Sequence, residues 1–409
     1  MNASSLLQYP GQGRHVVLVC AAAMIALAVA MGVGRFAFTP LFPLMVRDGL
    51  LDAGSGALLA ASNYLGYLVG ALLASRLKVR PAALLAFGLI ATVTVTASVG
   101  WTGSVAVWTV LRFVAGVLSA WTLVATTAWG LGWLASLGRP HLAGVIFAGV
   151  GLGIAAAGIF CLVAPGFESS ALAMWVVLGG LAAVAIVLPL FASLRLPTPP
   201  QVAVPTPPVH SPRAAPSSGT AGLVACYALF GFGYILPATY LPALARQVVD
   251  DPQVFGWAWP LFGTAAALST ILVAALLKNA NRAAVWAGCH LAMALGVLLP
   301  IVWSALSGVI ASALLVGGTF MVITMVGMQE ARSRVADNPT AVLGRMTAGF
   351  AFGQLMGPIV SAAIGHFVSD HTIALDLALA LSAAGLLASA WYLWCHERHN
   401  HSINQRSTA

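Results

Sequence analysis

Twelve apolar runs, most of them 20 residues or longer, divide the chain and decide what it can fold into. They lie at roughly 15–46, 54–75, 81–100, 104–135, 141–164, 170–193, 221–246, 253–277, 283–303, 307–329, 341–367 and 373–395. About 20 consecutive apolar residues cross a bilayer as a helix. Only 7% of the 409 residues are charged, where soluble domains average about 25%. No soluble fold could hide this much apolar surface. The expected class is therefore all-α integral membrane, with twelve transmembrane helices. The first run follows Arg14, and Ala26-Leu-Ala28 resembles a signal-cleavage site. It is too long for a signal core and its second half recurs later in the chain, so it is read as a retained span.

The loops between the runs set an orientation. With the N-terminus in the cytoplasm, that side holds 14 of the 18 basic residues, among them Arg14, Arg76, Lys78, Arg80, Arg139, Arg282, Arg332 and Arg334. The opposite side has only Arg47 and Arg246, beside acids such as Asp48, Asp52, Glu168 and Asp250. This bias predicts cytoplasmic N- and C-termini and an even number of spans. It also accounts for the net charge of +8 as membrane orientation rather than nucleic-acid binding. The five cysteines sit in five different runs without metal-ligand spacing. No metal or cofactor is expected.

A Pro-rich stretch, residues 194–220, breaks the chain in the middle. It reads as an extended cytoplasmic linker between six-helix bundles at 1–193 and 221–395, with a cytoplasmic tail at 396–409. The halves repeat. Gly32, Gly34 and Pro43 correspond to Gly231, Gly233 and Pro242 at an offset of 199. Gly144, Gly149 and Gly153 correspond to Gly344, Gly349 and Gly353 at an offset of 200. Six spans per half make this a parallel repeat, related by an axis along the membrane normal. The glycines are expected to allow close helix approach or bending.

Within the first repeat element stands Arg35, inside a span, where Tyr234 occupies the equivalent place in the second half. An arginine at the centre of a spanning helix costs roughly 2.5–3.5 kcal/mol on insertion scales. It belongs against a watery cavity or a partner, or ties down a kink. Arg112, in the fourth run, poses the same question.

These features resemble the major facilitator superfamily. Gly32-Val-Gly34-Arg35-Phe36 and Gly231-Phe-Gly233-Tyr234 with Leu241-Pro242 look like its YbfB/YjiJ-type branch. Arg112-Phe-Val-Ala-Gly116 is similar to the superfamily's Arg-x-x-x-Gly signature, and Arg76 and Arg80 match its loop between spans 2 and 3, with Ser75 and Lys78 departing from it. The resemblance implies a transporter of the inner (plasma) membrane, expected as a monomer, that rocks two bundles around a central cavity lined by spans 1, 4, 7 and 10. On helical spacing Arg35 shares a face with Met31, Thr39 and Phe42, and Arg112 with Gly116, Ser119 and Leu123. Tyr227 aligns with Tyr234, Asn63 aligns with Tyr67, and Gln354 is polar in mid-span. The expected substrate-binding set is thus Arg35, Arg112, Tyr234, Tyr227, Thr39, Asn63, Tyr67 and Gln354, with Thr319 and Met328 from span 10. Each has a plain alternative: interhelical hydrogen bonding for Asn63 and Gln354, packing for the tyrosines. Trp257 and Trp259 read as an interfacial belt, and His290 as a structural histidine. The substrate is a small molecule, and an anion suits two arginines. An exporter of neutral or cationic drug- or sugar-like compounds and a non-transporting sensor are the rival readings. Protons remain open as the coupling ion, because no Asp or Glu lies deep in a run.

Overall fold

A backbone in lipid must satisfy its own hydrogen bonds, so each apolar run closes into a helix, and polar residues mark where helices start. Asp52 and Ser55 form a reciprocal capping box, with Ser55 N–H donating to Asp52 Oδ1 at 2.7 Å. Ser104, Ser170 and Asn281 cap three more helices through their side-chain oxygens, and Pro81 occupies a first-turn position. The computed structural model describes residues 12–164, 169–196, 198, 218–248, 256–277, 279–335, 339–368 and 370–408. Among these, twelve helices are long and apolar enough to span a membrane. They are Gly13–Arg47, Gly54–Ala74, Pro81–Val99, Val105–Ser136, Pro140–Val163, Ala171–Arg195, Thr220–Ala238, Ala258–Leu276, Arg282–Val302, Leu306–Ser333, Pro339–Phe367 and Ile373–Cys395, hereafter spans 1 to 12. The helix of span 7 continues through Pro242 to Val248, and that of span 12 runs on to Thr408. Linker residues 199–217, and Glu168, lie outside the described residues.

Glycine seams build the two bundles in the same way. A Cβ on Gly149 or Gly153 would strike the carbonyl of Met24 or Ala28 on span 1, and one on Gly349 or Gly353 would meet the carbonyl of Val224 or Ala228 on span 7. Span 5 thus sits on span 1 as span 11 sits on span 7. Gly32 faces Gly153, Gly231 faces the Phe350 carbonyl, and Gly116 faces the Asn63 carbonyl. The outer glycines of the repeat join the halves: Gly144 lies against Thr270 of span 8, and Gly344 against Ser75 of span 2. Spans 5 and 8 stay in contact further along, where Gly151 meets Gly263 and Gly158 meets Pro260. Because the obstacles are backbone atoms, no side-chain rotation relieves them. Gly149→Ala is expected to cost about 1–3 kcal/mol by overpacking and to lower the yield of monodisperse protein. Gly180→Ala, with open space at its Cβ, should be neutral in the same size-exclusion assay.

The two ends of the bundle differ in charge. At the end where span 1 begins, Arg334 pairs with Glu330 at 2.9 Å, and Arg282 approaches the same carboxylate at 3.9 Å. There Trp129 and Trp133 both donate their indole N–H to the Leu196 carbonyl, at 2.7 and 3.2 Å, and pin the start of the linker to span 4. At the opposite end Asp48 accepts from Arg47 Nε at 2.8 Å and from the Ala171 amide at 2.7 Å. Chiefly the Arg47 hydrogen bond holds this carboxyl below its ordinary range, with the Ala171 amide adding to it. A depressed carboxylate stabilises the fold above its unfolded pKa, about 3.9, and loses that contribution as pH falls through the folded value. Asp48→Asn should therefore lower the melting temperature at pH 7, and the gap from wild type should close below about pH 4.

Candidate functional site

Span 1 is not one regular helix. It runs as an α-helix over Gln12–Leu27, a π-helix over Ala28–Phe36 and an α-helix again over Phe38–Arg47. Wide π turns inside α-helices concentrate at functional positions. Here Gly32 lies flush with Gly153, and Gly34 faces the Thr92 methyl and Ser119 Oγ, so the bundle accommodates the widened backbone. A π turn frees carbonyls from their usual partners, and Pro40 has no N–H to offer the Arg35 carbonyl five residues earlier. Span 4 supplies the missing donors. Ser119 Oγ, with one proton, lies 2.9 Å from the Ala30 carbonyl and 2.7 Å from the Ala115 carbonyl of its own helix. Arg112 donates through Nη1 to the Gly34 carbonyl at 3.2 Å and through Nη2 to the Arg35 carbonyl at 3.0 Å. Asn63 of span 2 donates to the Arg112 carbonyl at 2.9 Å and fastens that part of span 4.

This scaffold presents the Arg35 side chain to the interior, where it is 2% exposed. Its guanidinium carbon lies 3.6 Å from the centroid of the Tyr67 ring, within cation–π range. The rings of Phe36 and Tyr64 stand at 5.4 and 5.9 Å. Nη2 donates to Gln354 Oε1 of span 11, a hydrogen bond across the two halves. Arg35 Nε and Nη1, and Gln354 Nε2, are buried donors without a hydrogen-bond acceptor. Among the described residues no carboxylate pairs with Arg35 or Arg112.

Facing this cation is a wall of rings from the second half. Tyr234 stacks on Phe320, centroids 4.4 Å apart and planes 10° apart. Phe350 lies 4.9 Å from Phe230, 5.6 Å from Tyr227 and 6.0 Å from Tyr234. Trp259 stacks on Phe262 at 5.6 Å and 7°. Phe36 is the first half's contribution, edge-on to Phe320 at 6.1 Å and to Trp259 at 6.4 Å.

The structure thus brings Arg35, Tyr67, Gln354, Tyr234 and Tyr227 into one buried cluster. Arg112, expected as a second open cation, has both Nη nitrogens on span 1 carbonyls. Asn63 is joined to Arg112's backbone, the interhelical alternative. The π turns add residues to the repeat, so the α-helical face drawn through Arg35 drifts: Phe42 lies on Gly56 and beside Phe38, and Thr39 sits half-buried in the α-helix beyond the π segment. On span 10, Thr319 bonds back to its own helix at the Leu315 carbonyl, and Met328 is fully buried. Trp259 is a correction to the belt reading, since it packs on interior rings, whereas Trp257 is 60% exposed. His290 is fully buried and accepts from Trp286 Nε1 at 2.9 Å. Arg76 and Arg80 lie beyond spans 2 and 3 at the basic end, and the side chain of Pro242 lies outside the described residues. Sequence reading passed over Phe36, Phe230, Phe320, Phe350 and Phe262. Phe230 was within reach: it falls three residues after Tyr227 and four before Tyr234, on one helical face.

The sequence profile of the family described as "Uncharacterised MFS-type transporter YbfB" matches residues 27–393. The chain belongs to this YbfB-type family of MFS transporters. As such it is a multi-pass membrane transporter and not an enzyme. No curated protein matches the sequence. Among solved structures, the crystal structure of the human organic anion transporter MFSD10 (TETRAN) is similar, with a TM-score of 0.69 and 14% identity, over 94% of this chain and all of that one. At that identity the likeness concerns the MFS fold alone.

Proposed function

We propose that this YbfB-type transporter moves a small organic anion by alternating access, with Arg35 as the group that holds the negative charge. One observation carries the reading: two Arg35 nitrogens and the Gln354 amide are buried without acceptors, beside the one Arg35 nitrogen that bonds across the halves. An uncompensated buried cation costs several kcal/mol, and guanidinium forms paired hydrogen bonds with a carboxylate or phosphate. An entering anion supplies what is missing. It also replaces the Arg35–Gln354 hydrogen bond, which must open when the halves rock apart. Arg112 acts through span 1 as a positioning residue, and Tyr234 faces the rest of the ligand. The test is a thermal-shift screen of the purified protein against carboxylates, phosphate esters and their neutral analogues, followed by proteoliposome flux. Stabilisation only by neutral or cationic compounds would move the reading to a drug- or sugar-type exporter.

The same proposal places the basic end in the cytoplasm, with both termini, in the inner membrane. In intact cells, a cysteine at Ser217 should resist an impermeant thiol reagent, and one at Glu168 should react. The reverse pattern would invert the topology.

A further inference from the structure

The substrate class can be narrowed, on the basis of the anion reading above. Among the described residues the buried cations are Arg35 and Arg112, and Arg112 already donates both Nη nitrogens to the Gly34 and Arg35 carbonyls, which leaves only its Nε. Arg35 alone keeps two unpartnered nitrogens, enough for one anionic group. A second charge on the ligand would meet rings rather than cations. The rings have a definite arrangement. Tyr234 on Phe320 and Trp259 on Phe262 are two stacked pairs, with planes 10° and 7° apart within each pair, and Phe262 lies 6.0 Å from Phe320. The Phe36 ring packs against one ring of each stack, edge-on to Phe320 at 86° and to Trp259 at 63°. Phe36 follows Arg35 in sequence, and its ring centroid lies 5.4 Å from the guanidinium carbon. The protein's own ring is therefore held beside its own cation, against both stacks. Trp259, one of the rings that Phe36 meets, has its Nε1 buried and without an acceptor.

We propose that the substrate is an aromatic monocarboxylate: its carboxylate takes Arg35 and Gln354, and its planar ring takes the place against Phe320 and Trp259 that the Phe36 ring gives up when span 1 shifts. A flat ring with an electropositive edge repeats the edge-on contacts of Phe36, which a saturated ring cannot. A ring acceptor group would also satisfy Trp259 Nε1.

The test is calorimetric titration of the purified full chain with benzoate, cyclohexanecarboxylate, terephthalate and benzamide. Benzoate should bind about 3- to 10-fold tighter than cyclohexanecarboxylate, the range of an aromatic contact. Terephthalate should bind about 100-fold more weakly, because its second charge is buried unpaired. Phe320→Leu should bring the ratio of benzoate to cyclohexanecarboxylate affinity down to about one. Should that variant not fold, the wild-type ligand order still decides. Equal binding of cyclohexanecarboxylate or of terephthalate would overturn the aromatic monocarboxylate and leave the anion reading standing. Benzamide binding as tightly as benzoate would remove the anion reading itself. Binding of none of the four would also overturn the proposal.

Discussion

If the proposed anion site is right, Arg35→Lys is expected to leave a folded protein that binds an organic anion about 10- to 100-fold more weakly, since each charge-assisted hydrogen bond lost is worth about 1.5–3 kcal/mol. Lysine keeps the charge but not the planar fork, so it replaces two directed bonds with one point contact. Its ammonium can keep a cation–π contact with Tyr67, whose ring centroid lies 3.6 Å from the guanidinium carbon of Arg35, so packing around Tyr67 and Phe36 should survive. The measurement is a pair: melting temperature without ligand, and Kd from titration. A purely structural arginine predicts a different pair, in which melting temperature and affinity fall together. Wild-type affinity in a well-folded Arg35→Lys protein would end the case for an anion site at this residue. Arg112→Lys gives a useful contrast. It should lower the melting temperature first, because it releases the Gly34 and Arg35 carbonyls of the π segment.

Gln354→Glu should produce the second large effect, and in two directions at once. A carboxylate at this position lies within hydrogen-bonding reach of Arg35 Nη2 and supplies the countercharge the site lacks. The empty protein should become more thermostable, as removing an uncompensated buried charge relieves several kcal/mol. Transport should fall by about 100-fold or more, because the built-in carboxylate occupies the guanidinium and couples the two halves that must separate. Gln354→Leu provides the control: it removes the interdomain hydrogen bond without adding charge, and should weaken anion binding by about tenfold or somewhat more, the loss of one hydrogen bond to a charged group, without the gain in thermostability. If Gln354→Glu transports normally, Arg35 and Gln354 do not form the anion site.

Much of the architecture was legible in the chain because the bilayer enforces it. A run of 20 apolar residues in lipid has no alternative to a helix, so the number of spans and the parallel repeat followed from runs and offsets alone. The glycines at 149, 153, 349 and 353 were legible for a related reason. A residue lacking Cβ at matching places in both halves marks backbone contact, and the structure places carbonyl oxygens at all four. Arg35, Tyr67, Gln354 and Tyr234 could be nominated singly, since polar side chains in an apolar span need an explanation.

What the residues cannot state one at a time is which of them meet. Arg35 and Gln354 are 319 positions apart, and no period within either helix relates them; the packing of spans 2 and 11 across the two halves does. The division of labour between the two arginines was equally hidden. In sequence they are alike, each a cation in a span without a nearby acid. Their roles separate only because span 1 widens into a π-helix and exposes carbonyls that Arg112 reaches and Arg35 does not. The widening also rotates later residues such as Thr39 and Phe42 away from the face that a 3.6-residue repeat assigns them. The aromatic wall was concealed by abundance: phenylalanine in an apolar span carries no signal until tertiary packing gathers Phe230, Phe320 and Phe350 around Tyr234. Lipid solvation acts on each segment by itself and can be read from each segment by itself. The site depends on contacts between segments, and those exist only once the bundle has closed.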